Sequence, residues 1–166
     1  MTESTLTREF YDAFQHAEFG RWDPIADQDM LINTPLGFGV SGLQALKDFA
    51  AQLHDLSYRI DLVDEHLALD EHGTGRGFIT FCLNWKHTTV FLGFEPTGRE
   101  GTSVETLVFT ITGNRITRID VSENTLDLIL YERELGWPIP DNIQPEPIVT
   151  GIDRREQAAA GHAPVS

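Results

Sequence analysis

The hydrophobic period falls from helical to strand spacing near residue 57, and that change restricts the fold more than any composition figure. Before it, apolar residues recur at helical spacing. Leu6, Phe10, Ala13, Phe14 and Ala17 form one such set, closed by Gly20, and Leu43, Leu46, Phe49, Ala50 and Leu53 form another. After it the spacing falls to two. Tyr58, Ile60 and Leu62 alternate with Arg59 and Asp61, the pattern of a half-buried strand. Residues 78–91 are rich in aromatic and β-branched types, and Ser103 to Ile111 reads as a further strand. Thr112-Gly113-Asn114-Arg115 supplies residues that accept positive φ, so it predicts a hairpin returning through Ile116 to Val121. Helices first and antiparallel strands afterwards predict an α+β fold, with helices laid on one face of a sheet and a pocket at its open end.

Local signals mark the remaining boundaries. Asp23-Pro24 has the cap-then-proline order of a short second helix. Asp29 to Thr34 reads as a strand stopped by Pro35, and Ser41 with Gln44 three residues on has capping-box spacing. A last helix is expected over about 125–135, ended by Gly136 and Pro138. Beyond it come a Pro-rich arm, PIPDNIQPEP, and a small-residue tail, AAAGHAPVS. With 166 residues and no internal repeat, one domain is expected over 1–137, followed by the arm and tail over 138–166.

Charge and composition exclude several functions. Twelve basic against 26 acidic residues leave a net charge of −14, which argues against nucleic-acid or anionic-membrane partners. Cys82, the single cysteine, lies in the apolar run FITFCLNW and reads as a core thiol. His16, His54, His66, His72 and His162 show no metal-ligand spacing, so no metal is expected. The segment MTESTLTREF lacks the basic-then-apolar order of a secretory leader, and no stretch approaches the ~20 apolar residues of a membrane span. A cytoplasmic location is expected.

The stretch FLGFEPTGRE, residues 91–100, begins like a phosphate loop, with Gly93 and Gly98 in G-x-x-x-x-G order. Such a loop needs Lys and then Ser or Thr next, and a helix after them; here Arg99 and Glu100 lead into the strand-like GTSVETLVF. The nucleotide reading fails, and Pro96 with Gly98 reads instead as a turn between strands. His87-Thr-Thr-Val-Phe91-Leu-Gly-Phe-Glu-Pro-Thr-Gly-Arg99 resembles the T-H-x-G-x-F-L-G-x-x-P-T-G-R/K segment of the SnoaL-like polyketide cyclases, of the nuclear transport factor 2-like superfamily. Phe10-Tyr11, the segment Asp29 to Pro35, Asn114-Arg115-Ile116 and Glu134-Leu135-Gly136 resemble that family's other signatures in order. The resemblance implies a nuclear transport factor 2-like cone, with N-terminal helices packed on a curved, mixed, mostly antiparallel sheet. It also implies cofactor-free acid–base catalysis on a hydrophobic, carbonyl-bearing small molecule, by intramolecular aldol cyclisation or a related isomerisation, and a homodimer. The same scaffold also hosts non-catalytic binding domains, and epoxide-hydrolase-like and hydratase activities.

The family's base is an aspartate in a W-x-x-x-D pattern after the hairpin. Counted forward from Ile116, those positions fall on Asp120 and Asn124; counted back from Leu135-Gly136, the aspartate falls on Asp127. Asp127 equally suits the first turn of the last helix, with Asn124 as its cap. Asp120, sharing a two-residue face with Ile116 and Asn124, is the candidate general base if that face is the cavity's, and a solvated strand position if Arg118 marks it as outward. Asn124 is its candidate hydrogen-bonding neighbour. His87 either polarises a substrate carbonyl or holds the loop structurally. Asn33, Tyr11, Trp22, Trp85 and Phe91 are candidate substrate-binding residues, with turn or core roles as the alternatives.

Overall fold

The computed structural model describes residues 5–35 and 37–138, the last range by backbone alone at 37–39; the Pro-rich arm and tail beyond Pro138 lie outside it. The first helical set forms α1 (Leu6–Gln15), whose N-terminus is capped by the Thr5 side chain accepting from the Arg8 N–H at 3.2 Å. A short 3-10 helix (Phe19–Trp22) follows, earlier than the Asp23-Pro24 signal predicts. The chain then runs through β1 (Ala26–Thr34), β2 (Gly37–Ser41), α2 (Leu43–Leu56), β3 (Ser57–Leu69), β4 (Gly75–Lys86), β5 (Glu100–Thr112), β6 (Arg115–Glu123) and α3 (Asp127–Glu134). Two expectations are corrected here. Ser41 ends β2 and does not cap α2, whose cap position is Gly42. Leu126, not Asn124, occupies the cap position of α3, in a left-handed conformation.

The six strands form one sheet in the order β2-β1-β6-β5-β4-β3, antiparallel throughout except for the parallel β1–β6 pair. This is an open α+β sheet, mixed and mostly antiparallel. Gly113 and Asn114, at φ 57° and 62°, make the β5–β6 hairpin turn as their residue types predict. Helix α1 packs on β3 and β4, α2 on β1 and β3, and α3 on β5. The face they cover carries the core: Ile79, Phe81 and Leu83 of β4, Phe109 and Ile111 of β5, and Ile116 and Ile119 of β6 are all buried. Phe10 stacks on Trp22 with ring centroids 4.4 Å apart and meets Phe109 at 5.0 Å, joining α1 to the sheet.

One irregularity in the hairpin decides which side chains face the helices. Thr110 pairs with Arg118 but Ile111 pairs with Ile116, so Thr117 is an extra residue in β6. After this bulge the parity reverses. Ile116, Ile119, Val121 and Glu123 share the helix-covered face, and Arg118 and Asp120 lie on the other.

Candidate active site

A cavity of about 290 Å³ opens between the helices and the sheet. Phe10, Phe14 and Trp22 form one wall, and Leu46, Phe49 and Leu53 of α2 form a second. The floor is Phe81, Leu107, Ile119 and Val121, and Leu128 and Ile129 of α3 close the far side. Apart from Thr34, this lining is apolar except toward α3, where three carboxyl groups enter: Glu105, Glu123 and Glu132.

The backbone places them. Glu105 and Glu123 stand directly opposite each other in the antiparallel β5–β6 register, one step beyond the Leu107–Val121 pair on the same face. Glu132 lies one helical turn past Leu128, so the face of α3 that buries Leu128 also buries Glu132. Glu132 has no solvent exposure, and neither of its carboxyl oxygens has a hydrogen-bond partner among the described residues. Loss of hydration and mutual repulsion therefore act on all three. Burial, then the charges of Glu123 and Glu132, push Glu105 up to about 8. Burial and Glu123 do the same to Glu132, also to about 8, with Arg133 opposing. Glu123 is raised by burial too, but the Thr125 hydroxyl, 2.9 Å from Oε1, and Ser103 favour its charged form. At neutral pH the cluster thus holds protons that ordinary carboxyl groups would have released. No basic side chain lines the cavity among the described residues.

Of the residues proposed from sequence, Trp22 lines this cavity and the others stand elsewhere. Asp120 points away from it, because of the Thr117 bulge. Its carboxylate accepts from Arg118 Nε at 2.9 Å and from Asn33 Nδ2 at 2.8 Å, a buried polar cluster on the opposite sheet face. Asn33 is therefore a partner of Asp120 and not a cavity residue. Asn124 is exposed and donates to Thr106 Oγ1 at 3.0 Å. Asp127 accepts the backbone N–H of Thr102 at 2.9 Å, tying α3 to β5. His87 is buried, its Nδ1 hydrogen-bonded to the Tyr131 hydroxyl at 2.6 Å, and its backbone groups bond Arg99 and Gly98. That is the loop-holding arrangement. The Arg99 guanidinium lies over the Tyr131 ring and pairs with Glu134, so the 87–99 loop is latched to α3. Tyr11 donates to the Ile60 carbonyl, Trp85 stacks on Tyr131, and Phe91 packs against Phe49; all three are core. The loop residue that reaches the cavity is Leu92.

The three acids that do line it carry a sequence signal, though a different one. Glu105 has the parity of Leu107, Phe109 and Ile111, and Glu132 follows Leu128 by four. Ile119 and Glu123 show the i, i+4 spacing of the family's W-x-x-x-D, one residue before the positions counted from Ile116.

No protein-family profile and no curated protein matches this sequence. Solved structures do match it in shape. A SnoaL-like polyketide cyclase from Agrobacterium tumefaciens superimposes with a TM-score of 0.54 at 18% identity, over 81% of this chain and 100% of that one. This chain has the SnoaL-like fold. TsrD from Streptomyces laurentii matches at TM-score 0.59 and 15% identity, over 80% of this chain and 93% of that one. IdmH from Streptomyces antibioticus matches at 0.58 and 14%, over 75% and 94%. The shared architecture thus covers 75–81% of this chain in these matches, at identities of 14–18%. Among the described residues no group of three or more His, Cys, Asp or Glu is arranged to hold a metal ion, and no helix is long and apolar enough to cross a membrane.

Proposed function

We propose that this protein is a cofactor-free acid–base enzyme for an apolar, carbonyl-bearing small molecule, closing a ring by intramolecular aldol addition as a polyketide cyclase does. The observation that carries this reading is the carboxyl trio at one end of an otherwise apolar cavity. Glu123, the member with hydrogen bonds to its charged form, acts as base and takes a proton from a carbon flanked by carbonyls. The resulting enolate carbon attacks a second carbonyl of the same molecule, forming one C–C bond. Glu105 or Glu132 gives its proton to the alkoxide so formed, and the proton on Glu123 returns to that donor, so the product is an isomer of the substrate. The apolar walls fold the chain and exclude water, which strengthens each electrostatic contact.

The test needs no knowledge of the natural substrate. Wild-type protein should accelerate deuterium exchange at C2 of 1-tetralone in D2O above the buffer rate, followed by NMR, and Glu123→Gln should remove the acceleration. Exchange at the buffer rate with wild-type protein would sink the catalytic reading. A second reading, a non-catalytic binder of the same ligand class, is favoured by the protons held on Glu105 and Glu132, which leave the cavity nearly neutral. Saturable binding of the ketone without exchange would select it. We also propose a homodimer through the sheet face opposite the helices, where Phe78, Val108, Thr80 and Thr106 line a shallow concavity. A monomeric mass at micromolar concentration by light scattering would refute it.

A further inference from the structure

The chain has three tryptophans, and their indole N–H groups are treated differently. Trp22 Nε1 donates to the Phe10 carbonyl at 3.0 Å, and Trp85 Nε1 donates to Ser103 Oγ at 3.2 Å. Trp137 also lines the cavity, yet its Nε1–H is buried without an acceptor among the described residues. An indole N–H can only donate, so this group lacks an oxygen. Its position is fixed from several sides. The Trp137 backbone N–H donates to the Glu132 carbonyl at 2.9 Å, and Arg133 Nη1 donates to the Trp137 carbonyl at 2.9 Å. Arg133 Nη2 also reaches the Pro35 carbonyl at 3.3 Å, and Phe94 meets the indole edge-on with centroids 6.3 Å apart. Nothing in this packing requires the N–H to go unpaired.

Glu132 opens into the same cavity from the last turns of α3, with both carboxyl oxygens equally unpartnered. The two groups do not bond each other, so each lacks an atom that a ligand could supply. We propose that Trp137 Nε1–H and the Glu132 carboxyl together receive one carbonyl oxygen of the ligand, making Trp137 a specificity-determining residue of the site. This deepens the acid–base reading above and rests on it for the ligand class. A carbonyl oxygen has two lone pairs and can accept from two donors at once. Glu132, kept in its protonated form by burial, is the second donor. Such a pair also stabilises the charge that develops on that oxygen when the neighbouring carbon loses a proton. An ammonium group would suit three carboxylates, but it would meet the positive end of the indole N–H dipole. The site therefore selects acceptors over cations.

The experiment uses three bicyclic probes of matched shape on the full chain at pH 7, followed by isothermal titration calorimetry. They are 2-acetonaphthone, which carries the carbonyl; 2-isopropenylnaphthalene, which replaces C=O by C=CH2; and 1-(2-naphthyl)ethylamine, which carries the cation. Wild-type protein should prefer the ketone to the alkene by roughly tenfold or more, and to the amine as well. Trp137→Phe should reduce the ketone-over-alkene preference by about fivefold while alkene affinity stays within about twofold. Glu132→Gln, which keeps a donor, should retain most of the preference, and Glu132→Met should lose it. Equal weakening of both neutral probes in Trp137→Phe, tighter binding of the amine, or no binding of any probe by wild-type protein would each overturn the proposal. Its failure is separable from that of the catalytic reading. A Trp137-dependent ketone preference without deuterium exchange leaves this proposal standing, whereas exchange without that preference overturns it alone.

Discussion

Replacing Glu105 by Gln should stabilise the fold at alkaline pH and leave it almost unchanged at acid pH. In the folded chain Glu105 is 7% exposed, faces Glu123 across the β5–β6 ladder, and is held at about 8 against an ordinary 4.5. Between those two values the folded state binds a proton that the unfolded state has released. Stability therefore falls as pH rises through that window, at up to about 1.4 kcal/mol per pH unit for this group. The difference of ~3.5 units corresponds to about 5 kcal/mol at full ionisation, an upper bound because water entering the cavity would restore part of the lost hydration. A glutamine amide at this position does not titrate, and it removes one repelling neighbour from Glu123 and Glu132. Urea unfolding followed by tryptophan fluorescence at pH 5, 7 and 9 is the assay, and the variant-minus-wild-type difference is the quantity of interest. This difference cancels the titration of the many surface acids. It should lie within about 1 kcal/mol of zero at pH 5 and favour the variant by several kcal/mol at pH 9. A difference that stays constant across the range, or that shrinks as pH rises, would show that Glu105 ionises freely and that the cavity end is wet.

Two further substitutions separate scaffold from site. Asp120→Asn should cost about 3 kcal/mol in urea unfolding, because it leaves the nearly buried Arg118 guanidinium without its carboxylate, while ketone binding in the cavity stays as in wild type. Loss of ketone binding at unchanged stability would return Asp120 to the site. Tyr131→Phe removes the hydroxyl bonded by both His87 and Thr97 but keeps the ring stacked on Trp85, so thermal unfolding should report a loss of about 1–3 kcal/mol. An unchanged melting temperature would mean that the Tyr131 hydroxyl contributes nothing to holding the 87–99 loop on α3.

The parts of the fold that were legible in the sequence are those where one period runs unbroken. Leu6 to Phe14 gave α1, and Asn114 in its turn gave the β5–β6 hairpin. Legibility ended where the backbone departs from its period. GFGVS, with two glycines in five residues, has little strand propensity and pairs as β2 through its backbone against β1. Thr88 to Val90 continue the β-branched character of β4, yet the strand ends at Lys86, and the loop beyond it turns through positive φ at Leu92, Gly93 and Gly98. The cavity-facing parity of β6 differs by one residue from the one read in the sequence. Thr117 has no feature that announces a bulge, and without it Ile116, Asp120 and Asn124 would share a face. Glu105 and Glu132 were open to the same parity and helical-spacing rules that identified the core, but an acid at a core position reads as a solvated residue until its neighbours are known.

That single extra residue does more than misdirect a count. Carried through β6 with unbroken alternation, the face of Ile116 would present Arg118 and Asp120 to the helices and send Ile119, Val121 and Glu123 outward. The cavity would then hold a guanidinium–carboxylate pair, each partner satisfying the other. With the bulge, the satisfied pair is moved to the opposite face, where Asn33 completes it, and the cavity receives acids with no cation to settle them. An unsettled acid is costly to the fold and useful to chemistry for the same reason: its proton is held by burial and by the neighbouring acids, with no cation to displace it, and can be handed to a ligand. The aromatic stack of Phe10, Trp22 and Phe109 and the latch of Tyr131 lie outside that cluster, so the elements that stabilise the scaffold are separate from the ones that strain it. Such a separation lets the acids vary while the architecture persists, which accords with identities of 14–18% on a shared fold.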